Sequence, residues 1–220
     1  MFRFFFILIF SILLSLNLNA HIDHNKNIKK IEFDIYRNNE KVGYHKVIFA
    51  DKDGLKEIST DVFFNIKLLG VSIYEYHSIG KEIYKENKLI EFKSETKDGG
   101  DKDYCKITIS NNGEYSFDGT TEGKFFKYSS KKNFSLGTWW NHDVLINNNF
   151  VAGQSCRPTN TKVTFLKEEE RVIDDKKQIV NFYNVKGELI DVQIGFAKDT
   201  LQWVSMDFSL KGEWNYQLKK

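Results

Sequence analysis

The feature that most constrains the fold of this chain is a period-two alternation of apolar and polar residues. Every second residue is apolar in the segment IDVQIGF at 190–196, and the same spacing recurs at Val204, Met206, Phe208 and Leu210. This alternation is typical of β-strands that turn one face to a core and the other to solvent. The chain is therefore predicted to consist mainly of half-buried strands.

Short groups of turn-forming residues separate the alternating segments. Asn, Asp and Gly tolerate the positive φ angles of tight hairpin turns, so their spacing predicts consecutive antiparallel hairpins. Pro158 is the only proline, so little in the sequence would interrupt the hydrogen-bonded ladders. The predicted turns are Asn38-Asn39, Asp53-Gly54, Asp98-Gly99-Gly100, Asn111-Asn112-Gly113, Asp118-Gly119, Lys186-Gly187, Lys198-Asp199 and Lys211-Gly212.

The aromatic content decides how such strands can be arranged. With 19 Phe, 10 Tyr and 4 Trp, a flat meander would expose a large apolar surface to water. The right-handed twist of strands instead favours a sheet that coils on itself. We predict an all-β fold, an antiparallel meander coiled into a barrel, a half-barrel or a two-layer sandwich, formed as one domain by residues 21–220.

Two segments depart from simple alternation. Residues 133–151 break the strand pattern, and we predict one short helix from Trp139 to Leu145 that covers the open side of the sheet. Residues 62–73, VFFNIKLLGVSI, are apolar on both faces of the expected strand. One face should meet the core, and the other should meet the covering helix, another chain or a ligand, with internal packing as the simplest interpretation.

Residues 1–20, MFRFFFILIFSILLSLNLNA, have the pattern of a secretory signal peptide. Arg3 precedes an apolar run, and Ala20 offers a small residue for cleavage. The run is shorter than the roughly 20 residues of a spanning helix, which disfavours a retained membrane anchor. The first cysteine is Cys105, so cleavage after Ala20 would leave no N-terminal thiol for lipid attachment. We expect a periplasmic protein.

The charge distribution bears on the class of partner. The chain has 32 basic and 30 acidic side chains, interspersed along its length. A nucleic-acid partner would require a basic face, so none is predicted.

The two cysteines leave two possibilities open. Cys105 alternates with Ile107 and Ile109 and should face inward, whereas Cys156 lies in an irregular segment. An oxidising compartment would allow a disulfide that ties this segment to the sheet. The favoured interpretation is a buried thiol at Cys105 and an exposed thiol at Cys156.

The histidines do not form a recognisable metal or catalytic motif. Only His21 and His24 are closely spaced, whereas His45, His77 and His142 are isolated, and a zinc site needs three or four ligands. His142 and Asp143 could supply a base and its orienting acid, but no nucleophile motif accompanies them. The sequence also completes neither a calcium loop nor a phosphate loop. We therefore predict structural or surface roles for the histidines, no metal, no cofactor and no catalytic residue.

Several short motifs together resemble a known family. They are FDIYR at 33–37 with Val42, Gly43 and His45, VSIYEY at 71–76 followed by His77, Lys88-Leu89 before Thr96 and the glycine turn, the Trp140-Asn141 step, and the C-terminal aromatic segment through Gly212 and Tyr216. This set is similar to domain-of-unknown-function family 6134, an uncharacterised family of exported bacterial proteins. The resemblance implies an envelope location and an all-β fold, and it implies no mechanism.

The leading functional hypothesis is a non-catalytic envelope protein that binds an apolar or amphipathic, lipid-like molecule between the sheet and the helix. The abundance of aromatics and the two-faced apolar segment motivate it. The predicted lining residues are Phe64, Leu68, Tyr74, Tyr76, Trp139, Trp140 and Asn141. For the last three, the favoured alternative is that the indoles fill the core while Asn141 ties the helix to the backbone of a neighbouring strand. A structural or protein-interaction module of the envelope is the second hypothesis, and a hydrolase is the third.

Overall fold

The computed structural model describes residues 28–188 and 190–219. The predicted signal peptide, His21 and His24 lie outside the described residues. Within them the chain forms fifteen strands and one 3-10 helix, His142–Leu145. The strands are β1 (Lys30–Arg37), β2 (Glu40–Lys52), β3 (Leu55–Leu68), β4 (Val71–Lys85), β5 (Lys88–Asp98), β6 (Asp101–Ile109), β7 (Tyr115–Thr121), β8 (Lys124–Ser130), β9 (Ser135–Leu136), β10 (Asn149–Val151), β11 (Pro158–Ile173), β12 (Lys176–Gly187), β13 (Asp191–Ala197), β14 (Trp203–Ser209) and β15 (Glu213–Leu218).

All fifteen strands belong to one sheet. Their order is β8-β7-β6-β5-β4-β3-β2-β1-β15-β14-β13-β12-β11-β10-β9, so most neighbours in the sheet are also neighbours in the chain. Every pairing is antiparallel except that of β9 with β10. The end strands β8 and β9 do not pair, so the sheet is not closed. The predicted antiparallel all-β fold is confirmed in its open forms, the half-barrel or sandwich, and the closed barrel is excluded.

Most predicted turns lie between strands, but Lys186-Gly187 forms the end of β12, and the prediction of a turn at Asp118-Gly119 was wrong. Asn38, Asn39 and Asp53 have the positive φ angles expected of hairpin turns. Asp118-Gly119, by contrast, lies inside β7, and the chain reverses at Glu122 and Gly123. The alternation of buried and exposed residues continues through β7, so its ladder with β8 outweighs the local turn preference of Asp-Gly.

The segment between β8 and β11 runs inside the curved sheet. Trp140, Val144 and Phe150 are buried in the same core as side chains from both halves of the sheet. The Trp140 ring lies 5.3 Å from that of Phe49 on β2, and the His142 ring lies 5.4 Å from that of Phe196 on β13. The sheet therefore coils around this segment, which fills its interior.

The predicted covering helix is shorter than expected and of a different type. It is a single 3-10 turn, His142–Leu145, capped by the Asn141 side chain, which accepts a hydrogen bond from the Asp143 amide at 3.0 Å. Trp139 lies outside it with a φ of 67°, a left-handed conformation that no regular helix accommodates. Of the apolar side predicted for this helix, Val144 and Leu145 lie in the 3-10 turn, whereas Trp139 and Trp140 lie in the bend that precedes it.

Cys105 and Cys156 form a disulfide, with their Cα atoms 4.9 Å apart. The favoured prediction of two free thiols, one of them exposed, was wrong, because Cys156 is also fully buried. Two hydrogen bonds hold the neighbouring backbone to the sheet, from the Ser94 hydroxyl to the Gly153 carbonyl at 2.5 Å and from the Tyr128 hydroxyl to the Cys156 carbonyl at 3.0 Å. We call residues 152–157 the strap.

Candidate functional site: an aromatic wall and a projecting hairpin

The structure divides the seven predicted lining residues into two groups. The first lies on the β3–β4 hairpin and consists of Phe64, Leu68, Tyr74 and Tyr76. The second lies in the segment that fills the interior and consists of Trp139, Trp140 and Asn141.

The first group contains a continuous set of aromatic rings. Phe64 pairs with Tyr76 across β3 and β4, and the two rings stack with centroids 4.9 Å apart. Phe64 also contacts Tyr74 at 5.9 Å and the edge of Trp214 at 4.9 Å. The side chains of Phe64, Tyr74 and Tyr76 are half-buried, whereas Trp214 is buried. We call these four residues the aromatic wall.

Ring contacts continue from the wall to a buried histidine. Phe208 links Trp214, at 5.5 Å, to Tyr216, at 6.2 Å, and Tyr216 lies 5.8 Å from His45. His45 is only 3% exposed, and its ring lies 4.9 Å from that of Trp203. Neither ring nitrogen of His45 has a hydrogen-bond partner among the described residues. Burial lowers the pKa of His45 to about 3, so the imidazole is neutral at physiological pH.

The second group surrounds a buried carboxyl group. Trp140 is fully buried, and its indole N–H donates to Glu82 at 2.7 Å, while the Tyr84 hydroxyl donates to the other oxygen of Glu82 at 2.6 Å. Burial raises the pKa of Glu82, and the hydrogen bonds from Tyr84 and Trp140 oppose that rise. Asn141 caps the 3-10 helix, and Trp139 packs against Phe150 with ring centroids 5.4 Å apart.

The two groups are well separated along β4. Glu82 follows Tyr76 by six positions along the strand, which corresponds to about 20 Å. The structure therefore brings Phe64, Tyr74 and Tyr76 together and does not bring Trp139, Trp140 or Asn141 to them. The indoles of the second group fill the core, as the favoured alternative expected, and a ligand-binding role for any of the seven residues stays a prediction.

Leu68 belongs to a hairpin that projects beyond its neighbouring strands. The pairing of β3 with β2 ends at Phe64 and Gly43, and that of β4 with β5 ends at Tyr76 and Asp98. Beyond these pairs the Gly99 amide donates to the Glu75 carbonyl at 2.9 Å, and from Ile66 onward β3 and β4 pair, among the described residues, only with each other, up to Leu68 and Val71. We call residues 66–73 the arm.

The arm explains the two-faced apolar segment of the sequence. Ile66 at its base packs against the core, whereas the apolar side chains from Leu68 to Ile73 are exposed on both faces of the hairpin. Four of them are more than half exposed: Leu68 60%, Leu69 96%, Val71 66% and Ile73 60%. At its base, Glu75 pairs with Lys97 at 2.9 Å and accepts a hydrogen bond from Asn65.

His77 lies on the outer face of the sheet beside a carboxylate and a hydroxyl. Its Nε2 atom is 3.0 Å from an oxygen of Asp61, whose other oxygen accepts a hydrogen bond from the Tyr44 hydroxyl at 3.2 Å. Partial burial and the neighbouring Asp61 carboxylate raise the pKa of Tyr44, so its hydroxyl stays protonated and is a poor nucleophile. This exposed trio gives the hydrolase hypothesis little support.

Two properties of the described residues bear on other classes of function. Across residues 28–188 and 190–219, no three His, Cys, Asp or Glu side chains are grouped as metal ligands. Over the same residues, no helix has the length and apolar character needed to cross a bilayer.

Comparisons with known proteins identify a family and a distant structural neighbour. The family model described as "Domain of unknown function (DUF6134)" matches residues 33–219. No curated protein matches the chain significantly. Among solved structures, the crystal structure of the hypothetical lipoprotein YmcC from Escherichia coli K12 is 7% identical in sequence, with 87% of this chain and 86% of that chain covered and a TM-score of 0.33. A similarity this low carries no argument about function.

Proposed function

The chain belongs to the DUF6134 family, as its sequence motifs predicted, and from this premise we propose that it is a non-catalytic protein of the bacterial envelope that binds an apolar or amphipathic, lipid-like molecule. The buried disulfide between Cys105 and Cys156 supports export, because such bonds persist mainly in oxidising compartments. The signal-peptide pattern of residues 1–20 points the same way.

The aromatic wall is the observation that carries the proposal. Phe64, Tyr74 and Tyr76 present half-buried rings on the inner face of an unclosed sheet, next to the apolar arm. Sites for small apolar ligands are mostly hydrophobic and aromatic, with a few polar groups that fix orientation. Packing of a hydrocarbon chain against these rings would remove the apolar surface of both the ligand and the rings from water.

His45 favours an amphipathic ligand over a purely apolar one. A buried polar group without a hydrogen-bond partner costs about 1–3 kcal/mol. The neutral imidazole offers one donor and one acceptor, and ring contacts connect it to the wall. A hydroxyl or protonated carboxylic acid at one end of the ligand would satisfy one of the two nitrogen atoms.

Binding is tested with a fluorescent fatty acid. Protein expressed with residues 1–20 intact, purified from the envelope and stripped of lipid is titrated with cis-parinaric acid. We expect saturable binding that Phe64→Ala weakens by about tenfold or more, because truncation removes the central ring of the wall.

Phe126→Ala is the matched control. Phe126 is also a half-buried phenylalanine in a strand, but it lies on β8 and stacks on Tyr128 at 6.2 Å, outside the wall. We expect this variant to bind the probe as the wild type does. Absence of saturable binding to the wild type, or equal weakening in both variants, would contradict the proposal.

A further inference from the structure

We propose that the arm docks the protein on a lipid bilayer by inserting Leu68, Leu69 and Val71 among anionic headgroups. This inference concerns the surface on which the protein sits and does not depend on whether the aromatic wall binds a ligand.

The conformation of the turn at the end of the arm is the first observation that supports membrane docking. Leu69 and Gly70 have φ angles of 51° and 82°, which correspond to a turn with both central residues in the left-handed region. Asn-Gly is the pair that such a turn favours, and leucine at its first position is disfavoured by its side chain. Leu69 is nevertheless present and 96% exposed. Neither turn formation nor core packing explains this residue, whereas contact with an apolar environment does.

The second observation is that the arm projects beyond the rest of the sheet. The tip at Leu69 lies five residues beyond the last pair that β3 makes with β2, a distance of about 16 Å along the strand. A two-stranded hairpin without neighbours is marginally stable in water, and a cluster of exposed apolar side chains is typical of a docking surface. A narrow convex tip fits into a fluid headgroup layer without needing a complementary cavity.

The third observation is the distribution of apolar and basic residues over the two ends of the sheet. Alternate turns of a meander lie at the same end, so the turns near Leu69, Phe125 and Leu210 share one end. Phe125 and Leu210 are each 63% exposed. At the opposite end, the turns that join β2 to β3, β4 to β5 and β6 to β7 consist of polar residues and glycine, and Val172, 63% exposed beside the turn that joins β11 to β12, is an exception.

Each exposed apolar tip also has a lysine beside it. The adjacent pairs are Lys67 with Leu68, Lys124 with Phe125 and Lys211 with Leu210. Within the arm Lys67 is the only charged residue, and Glu75 at its base is neutralised by Lys97. Apolar side chains flanked by lysines match the boundary between acyl chains and anionic headgroups, where the lysine amines remain at the surface. This charge pattern favours a bilayer over a protein partner.

The proposal is tested by flotation of purified protein with vesicles of phosphatidylcholine, with and without phosphatidylglycerol. We expect the wild type to float with the anionic vesicles and to dissociate as salt is raised. Leu69→Asn should weaken this partition by about tenfold, because a large apolar side chain is lost from the interface. The same variant should melt at the same or a higher temperature, since asparagine suits the turn.

Ile79→Asn is the matched control, because Ile79 is an exposed apolar residue of β4, 48% exposed, outside the arm. It should float as the wild type does. The proposal is overturned if the wild type does not float, if Leu69→Asn floats equally well, or if Leu69→Asn instead abolishes dimerisation or capture of a protein partner while vesicle binding is absent. The cis-parinaric acid titration of Leu69→Asn separates this result from the ligand-binding proposal, because its wall is intact.

Discussion

At the scale of single residues, strand alternation predicts the burial of His45 but not its surroundings. Its odd-numbered position on β2 places it on the inner face with Val47, so its burial follows from the strand period. The sequence left a surface role open because histidine is common on surfaces. Its aromatic surroundings come from β1, β14 and β15, which are brought together only by the tertiary fold.

The burial of His45 predicts a pH dependence of stability. Its folded-state pKa of about 3 lies below the ordinary value of 6.5, so between these values the unfolded chain binds a proton that the folded protein does not. The free energy of unfolding should therefore fall as pH is lowered through this window, by about 1.4 kcal/mol per pH unit. From about pH 7 to about pH 5 the loss is about 2 kcal/mol.

Urea unfolding of the wild type and His45→Leu at these two pH values measures the effect. The variant keeps a side chain of similar volume but cannot bind the proton, so the loss attributable to His45 should disappear from its pH dependence. Equal slopes for the two proteins would show that this histidine is accessible to protons in the folded state.

At the scale of elements, the strap is the clearest case of a covalent contact between segments that are distant in the sequence. The disulfide joins β6 to a segment 51 residues later in the chain. Closing a loop of this length restricts the unfolded chain, and the entropic model gives about 4 kcal/mol as the resulting stabilisation.

We expect the double variant Cys105→Ala, Cys156→Ala to be less stable than the oxidised wild type by about 2–4 kcal/mol. Urea unfolding of the two proteins provides the measurement, and the wild type treated with a reductant serves as the control. A difference below about 1 kcal/mol would mean that the strap is held by its other contacts, such as those of Ser94 and Tyr128.

Strands were predictable at this scale because each one carries its own period of two, and turn residues such as Asn38-Asn39 mark their ends. The segment between β8 and β11 was not predictable, because its conformation depends on contacts with residues far away in the sequence. The Trp140 indole meets Glu82 across 58 positions in the chain, and no local pattern indicates that contact. The short helix was overpredicted for the same reason, since Trp139 takes a left-handed conformation that its packing permits.

At the scale of the whole molecule, coiling of the sheet could be predicted and closure could not. Aromatic content and strand twist require the sheet to curve around its apolar face. Whether β8 and β9 meet depends on how much of the interior is filled by the segment between β8 and β11, which the sequence does not specify. Of the predicted lining residues only Phe64, Tyr74 and Tyr76 came together, because the pairing of β3 with β4 places their rings in contact on one face.

The central claim is that the aromatic wall holds an amphipathic molecule, and native mass spectrometry tests it most directly. Wild type, Phe64→Ala and Phe126→Ala are released gently from envelopes and measured intact. We expect a non-covalent adduct of lipid-like mass on the wild type and Phe126→Ala that is lost or reduced in Phe64→Ala. A bare mass for the wild type, together with no uptake of added fatty acid, would contradict it.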